Sequence, residues 1–136
     1  MQNKSLELQK IIINSVNNID YLKQQNIKIY SSIPDKIKTP YIKLSCLSMN
    51  TKQNVSNIQS FTIELFIATN WKNNKSLLEI MENLYKNIVM EINKYANYNN
   101  EIESNIYNIY NLNYKIKENL ENNIWNGYFY LDIDLN

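Results

Sequence analysis

The acidic side chains near the C-terminus are the first candidates for chemistry in this chain. Asp132 and Asp134 alternate along the β-prone run "YFYLDIDL", so both carboxylates point to one side of a strand. Two carboxylates so placed could hold a divalent cation or act as general acid and base. Since no third ligand accompanies them, we expect instead that both lie on a solvated outer face.

The remaining composition offers little for catalysis. The chain has no histidine, one glycine and one cysteine, which excludes Ser-His or Cys-His nucleophiles and glycine-rich phosphate loops. Cys46 alternates with Ile42 and Leu44, and we expect it to be a small buried hydrophobic residue. We therefore expect no enzyme, no bound metal and no cofactor.

Charge and hydropathy indicate a chain that folds by itself in water. The chain has 136 residues, a length typical of one domain, and we expect a single domain over 1–136. The formal net charge is +1 with scattered lysines, which argues against a protein whose affinity depends on neutralising phosphates. The N-terminus lacks a signal-peptide pattern, and we expect synthesis in the cytoplasm without membrane insertion.

The N-terminal half predicts a helix and two strands. The apolar spacing after Ser5, a possible N-cap, predicts a helix over 5–18. A short strand is expected within 27–33, before Pro34. Pro40 suits the start of a strand because its missing N–H is not needed there, so we predict the next strand over 41–49.

The C-terminal half alternates more clearly. We predict strands over 60–69, 106–117 and 125–135, a long helix over 74–97 capped by Asn74, and a projecting polar arm over 50–59. In the strand at 106–117, the period of two places four apolar or aromatic residues on one face: Tyr110, Leu112, Tyr114 and Ile116. The prediction is an α+β fold, order α-β-β-β-α-β-β, with a mainly antiparallel four- to five-stranded sheet and two helices on one face.

Large apolar side chains outside the predicted core are candidates for a subunit or partner interface. Phe66, Tyr128 and Tyr130 are predicted on the sheet face away from the helices. Trp71 lies where a strand meets the long helix and could be either a core residue or an interface anchor. Met90 falls among polar residues of that helix, where an isolated exposed apolar residue is equally plausible.

Three short motifs occur in an order found in one protein family. They are "IYSSIPDKIKTPYIKLS" at 29–45, "ELFIATNWKNNKSLLEIMENLYKNI" at 64–88 and "IWNGYFYLDI" at 124–133. In this order and spacing the chain resembles, nearly end to end, the tail completion or tail terminator proteins of long-tailed bacteriophages and gene transfer agents. One departure is Asn126, which stands where a histidine is frequent in the family.

The resemblance implies a structural function in a virion tail or neck. Such a protein forms a ring, typically hexameric, on the head-proximal end of the tail tube, stops tube polymerisation and presents a surface to the head–tail connector. DNA passes through the ring without being read, and no cofactor is implied. Two other functions stay open: a head–tail connector or neck protein of the same particle, and a host small-ligand-binding α+β module.

Overall fold

The computed structural model describes residues 4–51, 58–98 and 106–135, and it has an α+β fold. The helices are α1 (Ser5–Asn17), α2 (Asp20–Gln24) and α3 (Lys75–Tyr98). The strands are β1 (Ile29–Tyr30), β2 (Tyr41–Thr51), β3 (Gln59–Ala68), β4 (Ile106–Asn119) and β5 (Ile124–Leu135). The predicted α+β class is confirmed. The predicted arm at 50–59 lies largely outside the described residues.

The five strands form one mixed sheet in the order β1-β2-β3-β5-β4. The pairs β2–β3, β3–β5 and β5–β4 are antiparallel, whereas β1 pairs with β2 in parallel. The prediction of a mainly antiparallel sheet therefore missed one pair. A two-residue strand carries no pattern that reveals its direction, since direction depends on the path of residues 31–40 between the two strands.

The helices also differ from the prediction in number. Ile19 is extended, with ψ 120°, and separates α1 from the short helix α2, which lies between the helix predicted over 5–18 and the strand predicted within 27–33. A single turn contains too few residues for an apolar period to be recognised. Lys4, not Ser5, is the residue before α1, and Ser5 begins the helix.

The core lies between the helices and one face of the sheet, here called the inner face. Alternate residues of β3 and β5 point inward and are fully buried, and α1 contacts β1 and β2 while α3 contacts β4 and β5. The predicted apolar stripe of α3 is in this core: Leu77, Met81, Leu84, Ile88 and Ile92, with Tyr95 partly buried beside them. In the described residues, no helix has the length and apolar character needed to cross a membrane.

One predicted face assignment is wrong because of a bulge in β4. The pairing of β4 with β5 shifts between Tyr110 and Asn113, and Asn111 between them has φ 55°. The alternation therefore changes phase there, which is the usual effect of an extra residue in a strand. Leu112 packs against the core together with Tyr114 and Ile116, whereas Tyr110 is opposite Asp132 on the other face.

Candidate subunit interface

The sheet face away from the core, here called the outer face, brings three of the five candidate residues together. Phe66 on β3 pairs directly with Tyr128 on β5, and their ring centroids are 5.2 Å apart. Tyr130 is two residues further along β5, opposite Glu64. All three aromatic side chains are half-buried, so each retains surface that a partner could cover.

Two lysines on the edge strand β4 lie over the tyrosine rings. The Lys115 ammonium is 5.8 Å from the ring centroid of Tyr128 and 5.6 Å from that of Tyr130, and the Lys117 ammonium is 5.6 Å from the Tyr128 ring. Such contacts contribute about 0.5–1 kcal/mol each at exposed sites. The sequence pattern does not reveal these lysine contacts, because only the register of β4 on β5 brings the lysines to the aromatics.

The outer face is divided along the strands into a basic, aromatic half and an acidic, polar half. Lys43 on β2 pairs with Phe66, and Lys115 pairs with Tyr128, so lysines flank the aromatic pair on both sides. The other half holds Asp132 and Asp134 on β5 with the hydroxyl side chains of β3 opposite them. The face therefore has positive charge at one end and negative charge at the other.

Asp134 is not solvated, contrary to the prediction. Its side chain is 0% exposed, and its Oδ1 accepts hydrogen bonds from Ser60 Oγ at 2.7 Å and Tyr110 Oη at 3.2 Å. These donors come from the strands on both sides of β5. The carboxylate therefore joins β3, β5 and β4 through side chains, and its role in the monomer is structural.

Asp132 makes a similar but less buried bridge. Its Oδ1 accepts from Thr62 Oγ1 and its Oδ2 accepts from Asn111 Nδ2, both at 2.8 Å. The side chain is half-buried, so the prediction of an outer-face carboxylate is correct in position. Within 4–51, 58–98 and 106–135, no group of three His, Cys, Asp or Glu residues could hold a metal ion.

Burial and neighbouring carboxylates raise the pKa of two tyrosines on this face. The pKa of Tyr130 is raised by burial and by its hydrogen bond to Glu64. The pKa of Tyr110 is raised by burial and by the nearby charge of Asp134. In both cases the neutral phenol is favoured, because it donates a hydrogen bond to the carboxylate whereas a phenolate would be repelled by it.

Trp71 lies at one end of the sheet, where its backbone is hydrogen-bonded to the start of β5. The Trp71 carbonyl accepts a hydrogen bond from Trp125 N at 3.1 Å, and Thr69 Oγ1 donates to the Trp125 carbonyl. Thr69 N in turn donates to Asn126 Oδ1 at 3.3 Å. Both tryptophans are half-buried and pack against the core. Trp71 is thus joined to β5 by backbone hydrogen bonding, with part of its surface exposed.

A shallow cavity of about 270 Å³ adjoins Trp71. Pro40, Tyr21 and Glu79 also line it, and Tyr21 Oη donates a hydrogen bond to Glu79 Oε2 at 3.0 Å. The Thr39–Pro40 peptide bond is cis. The cavity brings α2, the start of β2, the turn after β3 and the first turns of α3 together at one end of the molecule.

The other singled-out residues lie apart from the outer face. Met90 is 58% exposed on α3, on the helix layer, and belongs to a different surface from Tyr128. Cys46 is half-buried against the core, less than predicted, and burial raises the pKa of its thiol. An arrangement of aromatics, lysines and internally bonded carboxylates suits binding of a surface better than bond-making chemistry.

Comparison with known proteins does not add a family. No protein-family model matches the chain, and no curated protein matches it either.

Proposed function

We propose that this protein is a tail terminator of a bacteriophage or phage-like particle. In this proposal, several copies form a ring on the head-proximal end of the tail tube, end tube polymerisation and provide the surface for head–tail joining. The partners are other copies of the chain, the major tail tube protein and the head–tail connector. The protein acts in the virion tail or neck, without a cofactor.

The observation that supports the proposal best is the meeting of the three motif segments at one end of the fold. Pro40, from the first motif, lines the same cavity as Trp71, from the second. The Trp71 carbonyl accepts a hydrogen bond from the backbone N–H of Trp125. Trp125 belongs to the third motif and lies two residues before Gly127. Segments that are far apart in sequence thus meet at one end of the fold, which supports treating the three motifs together.

The outer face supplies a surface suited to a protein partner. Tyr128 and Tyr130 are of a residue type enriched among interface hot spots, each of which contributes about 2 kcal/mol or more where a partner buries it. The lysines at one end of this face and the carboxylates at the other make its two ends opposite in charge. This difference favours one docking orientation over others. We assign this face to contact within the assembled tail.

The near-neutral charge is compatible with a ring through which DNA moves. A lumen that neutralised many phosphates would retain the DNA through counterion release. With 14 basic and 13 acidic residues, the chain has no large excess of positive charge to line a lumen. DNA would then pass without sequence-specific binding.

Deletion of the gene in a strain that produces the particles tests the function. We expect tails of uncontrolled, increased length that do not join heads, and electron microscopy would measure both effects. Tails of normal length that fail to join heads would indicate a connector or neck protein instead. Normal tails joined to heads would contradict both functions.

A further inference from the structure

The two edges of the sheet offer strand segments at which another strand could add. In the described part of the chain, β1 pairs only with Ile42 and Lys43 of β2, so residues 45–50 lie at an edge. β4 forms the opposite edge. The outward N–H and C=O groups of an edge strand are a template for pairing with another chain unless charges, prolines, bulges or other segments protect them. β2 has one register shift in this segment, between Cys46 and Ser48.

Exposed apolar side chains are concentrated beside these two edges. Seven large hydrophobic side chains are exposed in the described residues; three lie on β2 or at the start of α1, and three lie on α3 or in the turn after β4. On the β2 side they are Leu6, Leu47 and Met49; on the β4 side they are Leu78, Tyr85 and Leu120. Met90 is the exception. This distribution differs from the scattered exposed residues of an ordinary monomer surface.

The apolar residues of each side belong to a helix and the strand beside it. Leu6 follows Ser5, whose side chain is hydrogen-bonded to the thiol of Cys46 on β2. Leu78 and Tyr85 are seven residues apart on α3 and so share one helix face. The Tyr85 ring meets that of Tyr114 on β4 edge to face, with centroids 6.4 Å apart. On the β2 side this helix surface adjoins the strand at Cys46, and on the β4 side it adjoins the strand at Tyr114, just past the bulge.

The direction of the edge strands suits head-to-tail pairing of identical copies. Three antiparallel steps lead from β2 to β4, so these two strands run in opposite directions. If two copies lie side by side in the same orientation, β4 of one is antiparallel to β2 of the next. Antiparallel pairing is slightly more stable per residue than parallel pairing.

The register places uncharged segments at the same height. Asn50 pairs with Ser60, Ser60 with Asp134, and Asp134 with Asn108, so Asn50 and Asn108 are level across the sheet. Around them, residues 45–50 and 106–113 contain no charged side chain, whereas the lysines of β4 begin at Lys115. Neither segment brings an ionised group that the contact would have to desolvate.

The bulge in β4 lies at the end of this uncharged segment that is nearest to the part of β4 level with β1. Lys115 is level with Lys43, which pairs with Tyr30 of β1, so a straight β4 would meet β1 of the next copy. A strand bends at a bulge. The bulge between Tyr110 and Asn113 lets the part of β4 after Asn113 diverge from β1 of the next copy.

We propose that residues 106–113 of one copy pair with residues 45–50 of the next, so that the sheets of neighbouring subunits are joined edge to edge. A head-to-tail contact of this kind closes into a ring when its rotation returns to the start. The inference names the subunit contact and rests on the proposed function only for the closure of that ring. The outer face is then left for the tail tube.

Engineered cysteines at the two level positions test the pairing. In a Cys46→Ser chain, Asn50→Cys with Asn108→Cys should form disulfides between copies and give a ladder of covalent oligomers on a non-reducing gel. Within one chain these positions are three strand spacings apart, about 14 Å, too far for a disulfide. The ladder requires both cysteines, so each single variant should stop at a monomer or a dimer.

A matched control uses the same first position with a cysteine at the other end of β4. Asn50→Cys with Lys117→Cys should give far less ladder than the level pair. Equal cross-linking of the two double variants would overturn the inference. So would a level pair that stays unlinked at millimolar protein concentration, whether the chain is monomeric or assembled.

Charge placed at the edge gives a second, independent measurement. Met49→Lys should weaken self-association at least about tenfold, the equivalent of about 1.4 kcal/mol, whereas Met90→Lys, at a more exposed methionine away from the edges, should leave it unchanged. Analytical ultracentrifugation measures both, and an unchanged association of Met49→Lys would contradict the pairing. Cross-linked open chains without closed rings in electron micrographs would retain the edge contact and count against the proposed ring function.

Discussion

Gly127 on β5 lies directly beneath Met81 of α3, so closely that a Cβ atom at Gly127 would be 3.0 Å from the Met81 sulfur. The same Cβ would be 3.1 Å from Leu77 Cδ1. The backbone of Gly127 does not have a positive φ. The close approach of Met81 and Leu77, and not a turn, therefore favours glycine at this position.

Gly127→Ala should lower the free energy of unfolding by about 1–3 kcal/mol, because the added methyl group overfills a packed core. In a Met81→Ala chain the same change should cost at least about 1 kcal/mol less, since the space opposite is then empty. Urea denaturation of the four chains measures this coupling. Ser48→Ala, at an exposed position of β2, is the control for strand propensity. Additive effects of the two substitutions would show that the helix and Gly127 do not compete for space.

Asp134→Ala should destabilise the fold more than Asp132→Ala. The first change leaves two hydroxyl donors, Ser60 and Tyr110, without the buried carboxylate, at a cost of about 1.5–3 kcal/mol. The second affects a half-buried carboxylate whose donors regain water, and it should cost about 1 kcal/mol. Thermal or urea unfolding of both variants gives the comparison. Equal losses, or a larger loss from Asp132→Ala, would contradict the assigned burial.

Tyr128→Glu should leave folding nearly intact but abolish the function of the outer face. The new carboxylate would lie near Lys115 and Lys117, and the lost ring contact with Phe66 costs at most about 1.5 kcal/mol. A partner that buries this position would have to accept a charge. We expect a soluble, folded variant that forms subunit contacts yet does not bind tail tubes or limit tail length.

Met90→Glu is the matched control for that experiment, since Met90 is exposed on another surface. It should change stability by less than about 0.5 kcal/mol. If Met90→Glu prevents termination and Tyr128→Glu does not, the tube contact belongs to the helix layer and not to the outer face.

Stability should fall in alkaline solution. The pKa values of Tyr21, Tyr110 and Tyr130 are raised in the fold, each by burial first and then by a neighbouring carboxylate. The folded chain therefore retains phenol protons that the unfolded chain loses near its ordinary pKa of about 10. The stabilisation is complete below that pH and is lost as pH rises through the higher folded values.

Phenolate absorbance and urea midpoints between about pH 9 and 12 measure this dependence. Replacing all three residues by Phe should flatten the alkaline decline of the urea midpoint. A decline of equal slope in the triple variant would assign the effect to other groups.

Several features of the fold were predictable because their signals are local. The alternation of β3 and β5 identified their buried faces, and the apolar stripe of α3 identified its core side, since a strand or helix of that length repeats its pattern several times. The placement of Phe66, Tyr128 and Tyr130 on a common outer face followed from the same period of two. The tail terminator function itself is a proposal from motif resemblance and awaits its test.

The tertiary structure decided what depends on partners distant in sequence. The sequence pattern around Asp134 is that of a surface carboxylate. Only the register of the sheet brings Ser60 and Tyr110 to it from two other strands. Tyr110 is on the outer face only because one bulge changes the phase of β4. The parallel direction of β1 depends on the path of a loop. Periodicity determines which side of an element faces inward, whereas burial, pairing and direction depend on which segments pack beside it, and the sequence of one element does not contain that information.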